Sequence, residues 1–479
     1  MPADPAPSRF AHALVFYTSA VVLVLEILAG RLMAPFVGVS LETFTGIIGT
    51  ILAGMATGSA VGGRLADARS PARLLGPTLV IGGALAALGV PIIAVLGPNV
   101  GSDPISIVLL AGLSFFAPAA ALSAVSPMIA KIRLADLEET GKVVGSLSAS
   151  GTAGALVGTF VTGFVLVSAI PSRPIVLGAG ASLVVVGLYL SARLGSFPLG
   201  RNLALAALVV IGLSSLTPNN CTIESAYACI QIERDPARPT GRSLYLDGLR
   251  HSYVDLADPT HLEFRYFRLF ADVLASLPEG PGSALHIGGA GFAFPRYVNE
   301  VRPGSDGYVL EIDDALVDVA RDQLGLVTGP DLRLRVGDAR TALPDLATDR
   351  YDLIVGDAFS GVSVPWHLTT IEVMAELQRA LTPQGILMIN VIDGGENRFA
   401  RAELATLLEQ FEHVALIAPA EDAHVANQVL IASDEPLPDI EVDPSDGELW
   451  TGREVFDYVG SARVLTDDFA PADQMTRNF

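Results

Sequence analysis

Three carboxylates close three successive apolar runs in the second half of the chain. Glu311 follows "GYVL", Asp338 follows "LRLRVG" and Asp357 follows "YDLIVG". Each run reads as a buried strand, and the carboxyl ends of parallel strands are where open α/β sheets bind ligands. A fourth run, "SALHIGG" (283–289), leads into a glycine-rich turn, "GGAGFAF", Gly288 to Phe294. Glycines there allow the backbone close to a ligand. The fit to G-x-G-x-x-G is imperfect, but Glu311 lies 20 residues after Gly291. An acid at that distance binds ribose hydroxyls in dinucleotide-type folds. Asp357 closes its strand where such sheets bind ligands and do chemistry. Three acids at the carboxyl ends of successive strands converge on one crevice beside the glycine turn.

Those acids need a parallel sheet to converge. Short strands are expected at "YACIQIER", "SLYLDG" and "HSYVDL", then a helix near 262–276. Strands and helices alternate from 283 onward: strands at 283–289, 307–313, 332–338, 351–357 and 385–392, with helices at 314–324, 367–381 and 398–411. "HVALIAP" and "NQVLIAS" complete the strands. This alternation predicts a mostly parallel sheet with helices on both faces. Residues 219–479 contain no lysine, so no P-loop lysine is present for a nucleoside triphosphate.

The first half has another character. Mean hydropathy is +0.48 although the net charge is −21. Residues 1–218 hold 8 acidic and 11 basic residues; the other 43 acids and 19 bases lie in 219–479. The acidic half argues against a nucleic-acid surface, which needs a basic stripe. It suits a cationic substrate such as a polyamine, or serves solubility alone. Seven apolar segments, near 12–34, 43–63, 74–97, 105–130, 143–168, 174–192 and 202–217, are candidates to cross a lipid bilayer. Gly54/Gly58/Gly62 and Gly154/Gly158 are spaced four apart, as at helix–helix contacts in lipid. Glu26 and Arg31 lie in or at the end of the first segment, as functional charges or as an ion pair. Loop Lys and Arg residues predict a cytoplasmic N-terminus. An odd number of spans then puts the acidic half on the outer face of the plasma membrane; six or eight would leave it inside. Cys221 and Cys229, the two cysteines of the chain, are read as a disulfide loop, which needs an oxidising compartment, or as two unrelated thiols.

The expected architecture is therefore multi-domain. A transmembrane helical bundle (1–218) precedes a small β region with a linking helix (219–280) and a Rossmann-like α/β domain (281–479).

Residues 222–433 resemble spermidine synthases, the polyamine aminopropyltransferases. Residues 10–70, with "LEILAGRLMAPFVG" and "GSAVGGRLAD", resemble the membrane part of bacterial proteins that fuse a transporter-like segment to a spermidine synthase domain. The resemblance implies a decarboxylated S-adenosylmethionine as co-substrate, no metal, and a homodimer. Gly288, Gly289 and Gly291 would line the nucleoside and thioether. Glu311 would take the ribose hydroxyls, and Asp338 with Ala339 the adenine. Asp357 would serve the attacking amine as the catalytic acid–base. His251, Tyr266 and Ser360 would touch the substrate.

Departures from the family pattern are specific. G-G-G-D-G has Gly291 where the family has Asp. D-S-S-D-P reads Asp357-Ala358-Phe359-Ser360-Gly361, with Ser360 in place of the second acid. L-D-G-x-x-Q ends in His251, and Y-H-E becomes Tyr266-Phe267-Arg268. These losses leave two alternatives open: a methyltransferase using intact S-adenosylmethionine, or a non-catalytic transporter or sensor that binds a polyamine or nucleoside.

Overall fold

A computed structural model of the chain describes residues 8–101, 103–134, 140–218, 221–359, 361, 364–419 and 425–476; Ser360 lies outside them. The chain divides into two compact units, Met1–Cys229 and Ile230–Phe479.

Among the described residues, seven helices of the first unit are long and apolar enough to cross a membrane: Arg9–Val37, Leu41–Ala68, Pro71–Asn99, Pro104–Arg133, Thr140–Ala169, Ser172–Arg193 and Phe197–Ser215. The last begins five residues before the expected segment and has 19 residues, about 28 Å of helix. Glycine lets these helices touch backbone to backbone. A Cβ on Gly154 would stand 2.1 Å from the Phe16 carbonyl oxygen, and one on Gly58 2.0 Å from that of Ala120.

Arg31 does not pair with Glu26. Five residues along a helix turn the side chain by about 140°, off the shared face. The Arg31 guanidinium instead meets Glu224 at 3.2 Å and donates to the carbonyls of Ala226 (2.6 Å) and Ser225. Glu224 also accepts from the Ser172 backbone N–H at 3.0 Å. Cys221 and Cys229 are joined by a disulfide. The segment after the last apolar helix thus folds back onto helix ends. This is why the units divide at 229 rather than at the change of composition near 218.

Strand β1 (Ile223–Glu224) lies in the first unit. In the second unit, β2 (Cys229–Arg234), β3 (Gly241–Leu246) and β4 (Leu249–Asp255) run antiparallel, paired from Ile230 onward. The main sheet contains β5 (Ser283–Ile287), β6 (Asp306–Glu311), β7 (Leu332–Val336), β8 (Tyr351–Gly356), β9 (Leu381–Gly394), β10 (His413–Pro419), β11 (Val425–Ser433) and β12 (Gly447–Thr451). Its order is β12-β10-β11-β9-β8-β5-β6-β7. The five strands β7-β6-β5-β8-β9 are parallel, as the alternation requires. Beyond β9 the pairings are antiparallel, because β11 returns from β10 after a short connection and inserts between β10 and β9. Strand β12 pairs antiparallel with β10. It was not expected from the sequence, and neither was the helix Ala293–Val301.

The parallel strands are apolar on both faces, as a doubly covered sheet demands. Leu285, Ile287, Ile354 and Leu387 pack against Met374, Leu377 and Phe399 on one side. Ala284, Val309, Leu353 and Val355 pack against Phe270, Val298 and Val317 on the other.

Candidate active site

Strand β5 ends at Ile287, and the chain turns at Gly288 with φ +91°. A Cβ there would lie 2.4 Å from the carbonyl oxygen of Asp357, so the turn and the end of β8 touch directly. The Asp357 N–H donates to the Ile287 carbonyl at 2.9 Å.

Glu311 closes β6. Its Oε2 accepts from the N–H groups of Gly289 (2.8 Å) and Ala290 (3.2 Å), and its Oε1 from that of Asp313 (3.0 Å). Burial pushes its carboxyl above the usual range, and these backbone donors pull the other way. Glu311 therefore holds the glycine turn in shape. A carboxylate offers about four lone-pair positions, so one is left for a ligand hydroxyl.

Asp338 stands past the end of β7. It caps the short helix Ala339–Ala342 by accepting from the Arg340 N–H at 2.8 Å. His367 Nε2 lies 3.6 Å from its Oδ1.

Asp357 follows β8 and is half-buried, lining the cavity. The Tyr266 hydroxyl donates to its Oδ2 at 3.1 Å and the Asn390 carboxamide to its Oδ1 at 2.8 Å. Asn427 in turn donates to Asn390 Oδ1 at 2.9 Å. Loss of solvation pushes the Asp357 carboxyl up to about 7, while the bonds from Asn390 and Tyr266 oppose that rise. Burial and the neighbouring carboxyl hold the Tyr266 phenol well above its usual range, so it stays protonated and donates. An acid that exchanges its proton near neutrality is suited to general acid–base work.

These groups share one cavity of about 300 Å³. Gly288, Glu311, Asp338, Ala339 and Asp357 line it, with His251 and Tyr266. The His251 Nε2 is buried without a hydrogen-bond partner among the described residues, and burial lowers this imidazole to about 4, keeping it neutral. Two predicted glycines are not in the lining. Gly289 is occupied with Glu311, and Gly291 packs on β4, where a Cβ would fall 2.4 Å from Ser252 Oγ. The position of Ser360 lies outside the described residues, and the Cys221–Cys229 disulfide belongs to the first unit.

The lining also holds Arg250, Phe264, His367, Asn390 and Asn427, which the sequence reading passed over. A signal existed for Asn390: a carboxamide interrupting the apolar run "ILMINVI" must have a buried partner. Arg250 and Asn427 carried none. Among the described residues no group of three or more His, Cys, Asp or Glu is placed to hold a metal ion.

No protein-family model matches the chain. It is 28% identical over 247 residues to a polyamine aminopropyltransferase of Vibrio vulnificus (strain CMCP6), covering 47% of this chain and 81% of that one. It is 28% identical over 180 residues to a polyamine aminopropyltransferase of Chromobacterium violaceum, covering 37% of this chain and 68% of that one. Among solved structures, a probable spermidine synthase from Corynebacterium glutamicum superposes with TM-score 0.49 at 26% identity. That match covers 53% of this chain and 99% of the other.

Proposed function

We propose that this spermidine synthase-like chain is a membrane-embedded transferase that moves an aminopropyl-type group from a sulfonium nucleoside to an amine. The observation that carries the reading is Asp357, held by Tyr266 and Asn390 in the same cavity as Glu311 and Asp338. The lining fits a nucleoside. The backbone at Gly288 and Ala290 offers close approach, Glu311 keeps an acceptor position for ribose hydroxyls, and Asp338 with Ala339, in the same lining, is assigned to the base. Decarboxylated S-adenosylmethionine is the favoured co-substrate, and its sulfonium supplies a leaving group that needs no further activation.

An ammonium has no lone pair and cannot attack. Asp357 takes one proton from the amine, and the freed pair forms the N–C bond. The C–S bond breaks with its electrons moving to sulfur, which becomes a neutral thioether. Tyr266 and Asn390 orient the carboxylate for that transfer. The acidic domain attracts cationic amines, polyamines among them, over longer distances.

Seven apolar helices, a preponderance of basic residues in alternate loops and the Cys221–Cys229 disulfide support a multi-pass plasma-membrane protein. In this reading the N-terminus is cytoplasmic and the soluble domain is on the outer face. A membrane-impermeant maleimide applied to intact cells should label Cys221 and Cys229 only after reduction by an impermeant phosphine. Labelling only after lysis would move the domain to the cytoplasm.

Calorimetry of the full-length protein with S-adenosylmethionine, its decarboxylated form and methylthioadenosine tests the reading. Binding of the decarboxylated form and of methylthioadenosine is expected; binding of none would overturn it.

A further inference from the structure

Strand β4 carries a bulge at the cavity. Leu244 of β3 faces Ser252, but the next residue, Tyr245, faces Arg250, so His251 is the extra residue. In a regular strand consecutive side chains leave opposite faces. A bulge can re-aim them, and here both Arg250 and His251 line the same cavity. A guanidinium is an unexpected lining group for a site that would gather cations.

Arg250 lines the crevice and is linked to Asp357 through two aromatic rings. Along the sheet the acids run from Asp338 on β7 through Glu311 on β6 to Asp357 on β8. From Asp357 the side-chain contacts continue through Tyr266 and Phe264 to Arg250. Tyr266 bonds Asp357, the Phe264 ring lies 5.9 Å from that of Tyr266, and the Arg250 guanidinium lies 5.2 Å over Phe264. The guanidinium is also 5.1 Å over Tyr253, which leaves its edge free to bond in plane. Its Nε donates to Ser243 Oγ at 3.0 Å and its Nη2 to Glu263 Oε1 at 3.2 Å. Its Nη1 makes no hydrogen bond among the described residues. Glu263 is partly exposed and shared with His261, so a second carboxylate can join or displace it.

We propose that Arg250, with His251 beside it on the bulge, recognises a carboxylate on one of the two substrates. The inference rests on the nucleoside–amine reading of the cavity. The carboxylate has two sources: the amino-acid end of an intact sulfonium nucleoside, or an acceptor bearing an amine at one end and a carboxylate at the other. Arginine is the side chain matched to that shape, because its parallel N–H donors meet both carboxylate oxygens.

Calorimetry on the full-length protein separates the sources. For the nucleoside, S-adenosylhomocysteine is compared with its decarboxylated analogue; for the acceptor, 4-aminobutyrate is compared with butylamine in saturating methylthioadenosine. One pair should show roughly tenfold or greater preference for the carboxylate-bearing probe, the scale of a charged hydrogen bond. Arg250→Leu should erase the preference and leave methylthioadenosine affinity unchanged. Glu263→Gln, which removes the carboxylate that Arg250 shares with His261, should increase it. Equal affinities within both pairs would overturn the proposal, as would a preference that survives Arg250→Leu in a variant melting like the parent. If methylthioadenosine itself fails to bind, the nucleoside reading falls, and this inference with it.

Discussion

The Asn390 carboxamide donates to Asp357 Oδ1 at 2.8 Å, and this bond orients the acid at the centre of the cavity. Because Asn427 donates to the oxygen of the same carboxamide, the amide of Asn390 has one satisfied orientation. The Tyr266 hydroxyl fixes the other oxygen of Asp357. The carboxylate thus has few rotamers to lose when a substrate amine arrives.

Asp357 must be ionised to accept a proton, and burial pushes its carboxyl up to about 7. The kcat/KM for the amine should therefore rise with pH through about 7 and level off above it, until the acceptor or another group titrates. Asn390→Leu removes a bond that favours the charged form, so the rising limb should move to higher pH. A profile flat from pH 5.5 to 8, or an unshifted limb in Asn390→Leu, would remove Asp357 from the proton-accepting role.

Asp357→Asn should lower turnover by roughly 10²–10⁴, the range for a general base, while methylthioadenosine affinity changes only a few-fold. The same variant should be more stable than the parent at pH 8. The folded-state value near 7 exceeds the unfolded value of about 3.9. The folded protein therefore binds the proton more tightly, and stability present below pH 4 is lost as pH rises to 7. That loss is on the order of a few kcal/mol. Thermal melts at pH 4, 6 and 8 would show the two proteins diverging with pH; parallel curves would contradict the assignment.

Glu403 provides a second case, away from the cavity. It lies fully buried in the helix Arg398–Gln410, and its Oε2 has no partner among the described residues. Burial raises its carboxyl well above the usual range, so the folded state holds it protonated. Its stabilising proton is lost as pH climbs from the unfolded value, about 4.3, towards the folded one. Glu403→Gln should match the parent near pH 4 and melt higher at pH 8 to 9. Activity at pH 7 should be unchanged. Equal pH slopes for both proteins would mean that Glu403 is solvated.

Gly288→Ala should cost more than about 2 kcal/mol of stability, from left-handed backbone strain together with a Cβ 2.4 Å from the Asp357 carbonyl oxygen. It should also abolish methylthioadenosine binding, because relief of the clash moves the turn away from β8. A well-folded Gly288→Ala protein that binds normally would show that the turn is not the nucleoside cradle.

The Arg31–Glu224 pair is mostly shielded, with side-chain exposures of 18% and 12%. Removing one partner strands the other charge, so Glu224→Gln should destabilise by about 3 kcal/mol. The double variant Arg31→Met with Glu224→Leu should recover part of that loss. A double variant as unstable as the sum of both single changes would show that the two residues act independently.

Much of this arrangement is readable from local pattern. Apolar runs of strand length ending in Glu311, Asp338 and Asp357 give the parallel strands and their ligand-facing ends. Alternation with helices orders them side by side. Runs of twenty apolar residues give the long helices. These signals are local, because burial on one face or two is written into the residues of the element itself. The end of the sheet is less legible. Strand β12 is a short "GELWT" with polar neighbours, and it forms because β10 offers a free edge.

The side chains that meet in the cavity are another matter. Tyr266 and Asp357 are 91 residues apart, and Asn390 and Asp357 are 33 apart. Asn390 meets Asn427 only because β9 and β11 pair in a particular register, and a slip of one residue would put the two on opposite faces of the sheet. Arg250 and His251 share a face only because β4 bulges opposite Tyr245. Glu311 is expected to face a ribose, yet the fold also uses it to tie down the glycine turn. The sequence by itself determined most of the elements and the acids at their ends, since both follow from hydrophobic period and chain direction. Tertiary structure alone decided which distant polar groups surround Asp357, because register, bulge and turn geometry are settled only when the sheet is assembled.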